Sequence, residues 1–171
     1  MSFSRLVHAI YGRCRKNSTK PARLERAFSF LEVAVSRERD VDVLARTLWG
    51  EARGEGFAGM VAVGHTIKNR AAKPSWWGRD IESVCLKPSQ FSCWNKNDPN
   101  YPYLSGLKEI PPGQFLQARE AAVAVLDGKL PDPTGGATHY YATSMPKPPV
   151  WAQFAKRTVK IGRHIFFRNV P

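Results

Sequence analysis

Acidic residues are scarce in this chain of 171 residues: 14 Asp and Glu face 26 Lys and Arg, a formal net charge of +12. A surface of that sign points to a polyanion, whether nucleic acid, an anionic membrane surface or a bacterial envelope carrying acidic peptides and phosphates. The excess is not confined to a tail, because residues 1–40 hold 9 basic against 4 acidic residues and residues 41–171 hold 17 against 10. Long apolar runs are missing too. No stretch reaches the roughly 18–20 consecutive apolar residues that a membrane span needs. The apolar run in MSFSRLVHAIYGRCRKNSTK is too short for a secretory signal. Cysteine is sparse: Cys14, Cys85 and Cys93 are odd in number, which excludes a complete disulfide framework and leaves a Cys85–Cys93 bridge open without demanding it. Neither C-x-x-C nor H-E-x-x-H occurs, so no metal or cofactor is expected. Internal repeats and low-complexity tracts are absent as well.

What is present is patterned. With 43% hydrophobic residues, the chain has the apolar material for a compact domain of ordinary size. Phe3, Leu6, Val7, Ile10 and Tyr11 recur at helical spacing ahead of Arg13, Arg15 and Lys16. That spacing predicts a short amphipathic helix with a basic end, suited to docking on the core or touching a membrane. A second helix is expected over 22–36, with Leu24, Phe28, Leu31 and Val35 on one face, followed by a charged hinge over 37–40. Asp40 or Asp42 can cap the next helix, whose apolar side is Val43, Leu44, Thr47 and Leu48. Gly50 should weaken that helix, and Gly54 with Gly56 should end it. Residues 57–72 and 114–128 read as further helices. Residues 75–113, with WWGRD, QFSCWNKNDPNYPYL and PPG, lose periodicity and read as loop with short helical turns. THYYATS and TVKIGRHIFFR alternate and are rich in β-formers, which predicts two short strands. The expected fold class is α+β, mainly α with a small β region. A basic helical extension over 1–39 precedes a domain over 40–171.

The chemistry centres on WGEARGEGFAGMVAVGHTIKNR, where Glu51 and Glu55 flank an Ala-Arg-Gly spacer. A carboxyl group at a helix end, facing a cleft and half removed from water, has its ionised form disfavoured, which suits proton donation. A general acid of that kind protonates the leaving oxygen in glycoside cleavage. Glu51 fits, following Leu48-Trp49 and preceding a glycine-rich turn. Glu55, four residues on, is either a partner carboxylate on the same helix face or a partner for Arg53 that holds the turn.

ARTLWGEARGEGFAGMVAVGHTIKNR, QFS at 90–92, GGATHYYAT and IGRHIFFR, in that order, together resemble the spore-cortex-lytic type cell wall hydrolase family. The resemblance covers about residues 40–167. It implies a lysozyme-like fold and cleavage of the peptidoglycan glycan chain between N-acetylmuramic acid and N-acetylglucosamine. The family's catalytic glutamate is the first acid of G-E-A-R-G-E, here Glu51. Members look like lytic transglycosylases, in which one acid/base suffices and the sugar's own 6-hydroxyl closes an anhydro ring. Glu55 is then a structural or cleft residue. By the same resemblance Gln90, Phe91 and Ser92 line the glycan groove, with Phe91 able to stack on a sugar face, and His139 and Tyr140 are further substrate-binding residues, Tyr140 lying near Glu51. Trp94, Tyr101 and Tyr103 are either further platforms or core. His164, between apolar residues, reads as a core histidine, and His65 as a hydrogen-bonding group within the helix pair.

The expected partner is therefore peptidoglycan, with electrostatic contact to an anionic bacterial envelope and no nucleic acid, and a monomer is expected. Size, basicity and the lack of a signal suggest a phage-type endolysin, made in the host cytoplasm and released through a separate pore. A bacterial wall-remodelling enzyme is the alternative. A metal-dependent amidase using His65, His139 and His164 would need a ligand spacing that these residues do not offer.

Overall fold

The computed structural model describes residues 22–171. The amphipathic segment carrying Phe3 to Tyr11, and Cys14, lie outside the described residues. The chain divides into two units between Val35 and Ser36. The described part of the first is helical and exposes Phe30, Leu31, Val33 and Val35.

The helices are α1 (Ala22–Ala52), α2 (Gly56–Ala71), α3 (Ile81–Cys85), α4 (Tyr101–Leu104) and α5 (Pro112–Leu126). The hinge expected over 37–40 is helical instead, and α1 runs unbroken for 31 residues. Its charges are held by the region of α5: Arg37 pairs with Asp127, and Arg119 Nη1 donates to Glu38 Oε1 at 2.8 Å. Charged residues in a row read as a hinge only while those partners are unknown. Gly54 and Gly56 do interrupt the helix. A 3-10 turn over Arg53–Glu55 follows α1, and Gly56 takes φ 67° before α2 starts.

α2 is the centre of the domain. It is buried on every side from Gly59 to Ile67, the mark of a helix enclosed by other elements rather than laid on a surface. Gly64 allows close packing of α5, since a Cβ there would meet Val125 Cγ2 at 3.1 Å. Leu44, Leu48, Met60, Val63, Ile67, Val84, Ala118, Ala122, Val125 and Phe166 complete one continuous core.

Three strands, not two, close the domain: β1 (His139–Ala142), β2 (Lys156–Ile161) and β3 (His164–Arg168). TVKIGRHIFFR is itself a hairpin, turned at Gly162 (φ 56°) and Arg163, a two-residue connection of the kind that suits strand twist. The antiparallel order is β1-β3-β2, with His139 opposite Phe167 and Tyr140 opposite Phe166. Alternation then puts Tyr140, His164 and Phe166 on one face and His139, Tyr141 and Phe167 on the other.

Gly50 does not end α1. A Cβ at that position would lie 2.7 Å from Cys93 Cβ and 2.8 Å from Cys93 Sγ. The missing side chain lets the 3-10 turn over Ser92–Trp94 press against the helix one residue before Glu51. Cys85 and Cys93 are both buried, free thiols. Gly50→Ala is expected to lower unfolding free energy by roughly 1–3 kcal/mol through overpacking, despite alanine's better helix propensity. Urea denaturation of the two proteins measures it.

Candidate active site

The last turn of α1 is pinned from both sides. Trp49 Nε1 donates to Gln114 Oε1 at 2.9 Å, on α5. Arg53 lies over the Trp49 ring, 4.3 Å from its centroid, and donates to the Trp49 carbonyl at 3.1 Å. A guanidinium so stacked and bonded loses little further freedom. Glu51, half-buried between these two residues, therefore has a fixed backbone.

β1 brings the second group. Tyr140 Oη donates to Glu51 Oε2 at 3.0 Å across 89 residues of chain. The phenol's pKa is raised well above its usual value, first by burial and then by the adjacent Glu51 charge, so the proton stays on the phenol and the hydroxyl remains a donor. Its ring packs edge-on against His164 at 4.9 Å and tilted against Phe166 at 5.6 Å. Cys93 borders the same space. Burial, followed by the Glu51 charge, pushes its thiol upward and keeps it neutral.

Arg70, at the end of α2, is only 6% exposed. Its Nε donates to the Thr138 carbonyl at 2.6 Å and its Cζ sits 5.4 Å from the Phe91 ring centroid. Burial lowers its pKa, while the ionisable groups around it, Tyr140, Cys85 and Glu51, oppose that shift. Nη1 is buried without a partner. This cation thus anchors the segment leading into Tyr140 and interacts electrostatically with Glu51. Neither Arg70 nor Cys93 is marked by sequence: a basic residue closing a helix reads as solvated, and a lone cysteine reads as idle packing.

Glu55 has a different setting from Glu51. It accepts from the Arg163 backbone N–H at 2.8 Å and from Arg163 Nε at 2.6 Å. Arg163 is its partner, and Arg53 is not. Gly162 beside it is without a Cβ, which would collide with the Glu55 carboxylate. The Arg163 backbone bond, with help from the guanidinium, holds the Glu55 carboxyl below its usual value against the opposing effect of burial. Glu55 is a strut between the turn and the β2–β3 hairpin.

The remaining expected residues are scattered. Phe91 is 2% exposed and lies under Arg70, so its ring has no free face for a sugar. Gln90 Nε2 donates to the Val84 carbonyl at 2.6 Å, and its Oε1 is buried without a partner. Ser92 is exposed at the start of its 3-10 turn. His139 lies on the sheet face opposite Tyr140, between Trp77 (5.9 Å) and Trp151 (5.2 Å), and burial with the Arg70 charge lowers its pKa to about 4. His164 is buried as expected for a core histidine, yet Nδ1 has no partner. His65 Nδ1 lies 4.0 Å from Asp132 Oδ1. Among the described residues, no group of three or more His, Cys, Asp or Glu is placed to hold a metal ion. Trp94 donates to Thr47 Oγ1 at 3.0 Å, and Tyr103 packs on Trp49 at 5.5 Å.

Residues 54–167 match the family described as Cell Wall Hydrolase, a match that begins just past Glu51. The spore cortex-lytic enzyme of Halalkalibacterium halodurans is 32% identical over 133 residues, 75% of this chain and 34% of the relative. That of Bacillus subtilis is 29% identical over 127 residues, 74% of this chain and 37% of the relative. The chain thus spans about a third of the length of these curated relatives. The solved catalytic domain of the Bacillus cereus SleB protein superposes with a TM-score of 0.59 at 27% identity, covering 77% of this chain and 91% of that one. The catalytic domain of the germination-specific lytic transglycosylase SleB from Bacillus anthracis gives 0.57 at 27%, covering 75% and 93%.

Because the Glu55 pKa is depressed on folding, its contribution to stability is full above the ordinary value of 4.5 and is lost as pH falls through the lowered native value. Glu55→Gln should cost about 1–2 kcal/mol near neutrality. In parallel urea titrations across acid pH, the gap to wild type should close below that ordinary value.

Proposed function

The chain belongs to the cell wall hydrolase family, and on that premise we propose that it cleaves the peptidoglycan glycan strand with Glu51 as its general acid/base. The observation that carries this reading is the pair of Glu51 and Tyr140. A half-buried carboxylate at a helix end receives a hydrogen bond from a phenol whose proton is held in place. The second carboxylate of the motif, Glu55, is engaged by Arg163 and is not available as a nucleophile. A retaining glycosidase would need two carboxyl groups flanking the bond; one working carboxyl group favours attack from within the substrate.

In the proposed reaction, protonated Glu51 gives its proton to the glycosidic oxygen between N-acetylmuramic acid and N-acetylglucosamine as the C1–O bond breaks. The muramic 6-hydroxyl then attacks C1, and its proton passes to the Glu51 carboxylate, closing a 1,6-anhydro ring and restoring the acid. Tyr140 orients Oε2 throughout, and Arg70 steadies the carboxylate while it is charged.

Charge supports a finer reading. The net charge of +12 favours approach to an anionic bacterial envelope, consistent with a phage-type lysin acting on its host's wall. Lysis of intact cells that weakens steeply with added salt would support it, and salt-independent lysis would count against it.

Glu51→Gln should reduce turnover of purified peptidoglycan by roughly 10²–10⁴-fold with no loss of folding, and retained activity would assign the acid elsewhere. Mass spectrometry of wild-type products should find anhydro-muramic ends. Reducing muramic ends would mean that water attacks instead. Tyr140→Phe keeps the ring packing on His164 and removes only the hydroxyl. It should lower kcat about 10–100-fold with KM little changed, and a change in KM alone would contradict an orienting role.

A further inference from the structure

The tryptophan pair in the WWGRD segment has no part in the Glu51 site, yet it is held firmly. Ser75 and Gly78 close a tight turn around it through two backbone hydrogen bonds of 3.2 and 3.1 Å. Gly78, at φ 128°, lies where a Cβ would be 2.8 Å from the Val84 backbone nitrogen. Trp77 Nε1 is bonded to the Arg70 and Lys73 carbonyls, each at 3.0 Å, and the Trp76 ring meets it edge-on at 5.5 Å. Trp76 itself is 63% exposed. An indole presented to solvent on so rigid a turn gains nothing for the core.

A cavity lies on each side of the pair. One, of about 550 Å³, is bordered by Trp76, Arg79 and Lys87; the other, of about 250 Å³, by Trp77, Lys73 and Arg168. No Asp or Glu lines either one. Among the described residues, none of these four cations makes an ion pair. Asp80, next to Arg79, gives its carboxylate to the Ser83 N–H in the cap of α3. Arg168 has one long bond, to the Gly135 carbonyl at 3.4 Å, and its Nε is buried without an acceptor. Thr138 also lines the smaller cavity, and Tyr140 is two strand residues further on, roughly 7 Å.

We propose that the Trp76–Trp77 turn, with Lys73, Arg79, Lys87 and Arg168, is an accessory binding surface for a glycan strand bearing carboxylate groups, separate from the Glu51 centre. The inference rests on the peptidoglycan reading above, in which acidic peptide stems branch from the strand being cut. Trp76 offers a flat apolar face to a sugar ring, and the unpaired cations accept the carboxylates.

The test measures binding of full-length Glu51→Gln protein to insoluble peptidoglycan by co-sedimentation, with peptide stems intact or enzymatically removed. Combined Lys73→Gln, Arg79→Gln and Lys87→Gln, all at exposed positions, should weaken binding to the intact polymer roughly tenfold and barely alter binding to the stripped one. Trp76→Ala should weaken both. A control removing three charges from the exposed residues Lys147, Lys156 and Lys160 should change neither by more than about twofold. Equal losses for the two charge triples, or none for the first, would overturn the proposal. So would a loss of binding to single-stranded DNA or to a phosphodiester wall polymer with peptidoglycan binding unchanged. In the Glu51-competent background, each variant should still cleave a short soluble glycan at the wild-type rate. Wild-type protein that neither binds nor cuts peptidoglycan would instead defeat the functional reading itself.

Discussion

The close approach of Cys93 to Gly50 is the constraint on which the site depends. A residue with no side chain fits there without strain, because any Cβ would lie within 3 Å of two Cys93 atoms. With that gap closed, the Ser92–Trp94 turn and Phe91 pack beside the end of α1, and Arg70 is covered by the Phe91 ring. Glu51 then emerges at the margin of the packed region rather than within it. A carboxylate one residue from a contact this tight moves only if the helix moves.

Around Glu51 the nearby groups are of two kinds. Tyr140 and Cys93 are neutral, kept so by burial and by the carboxylate's own charge, while Arg70 supplies a fixed positive charge. An arrangement of neutral donors and one cation orients a carboxylate without claiming it as an ion pair. Glu55 shows the contrast. Held by the backbone and guanidinium of Arg163, it is bound into the structure. Two acids four residues apart in one motif therefore have unlike chemistry, because the hairpin turn reaches one of them and the strand β1 reaches the other.

The sheet divides its work by face. Tyr140, His164 and Phe166 turn toward Glu51, while His139, Tyr141 and Phe167 join Trp151 and Trp77 on the other side. One strand thus connects the catalytic candidate to the tryptophan turn. The structural likeness to SleB catalytic domains covers most of those domains.

The parts settled by the residues alone are those that depend on local pattern. Apolar spacing marks α2 and α5, Gly56 separates α1 from α2 because the chain needs a positive φ there, and the alternation of THYYATS marks β1. The order of motifs points to the family, and within them the G-E-A-R-G-E motif makes Glu51 the proposed acid. What local pattern cannot contain is the identity of distant partners. The stretch 37–40 is helix with its charges met by Asp127 and Arg119, and Gly50 stands within α1 where Cys93 takes the space a side chain would need. Phe91 is floor rather than sugar platform because Arg70 lies over it. Glu55 answers to Arg163, 108 residues away. Each of these outcomes is set by an electrostatic or packing contact that exists only once the chain has closed on itself, and so tertiary structure alone decided them.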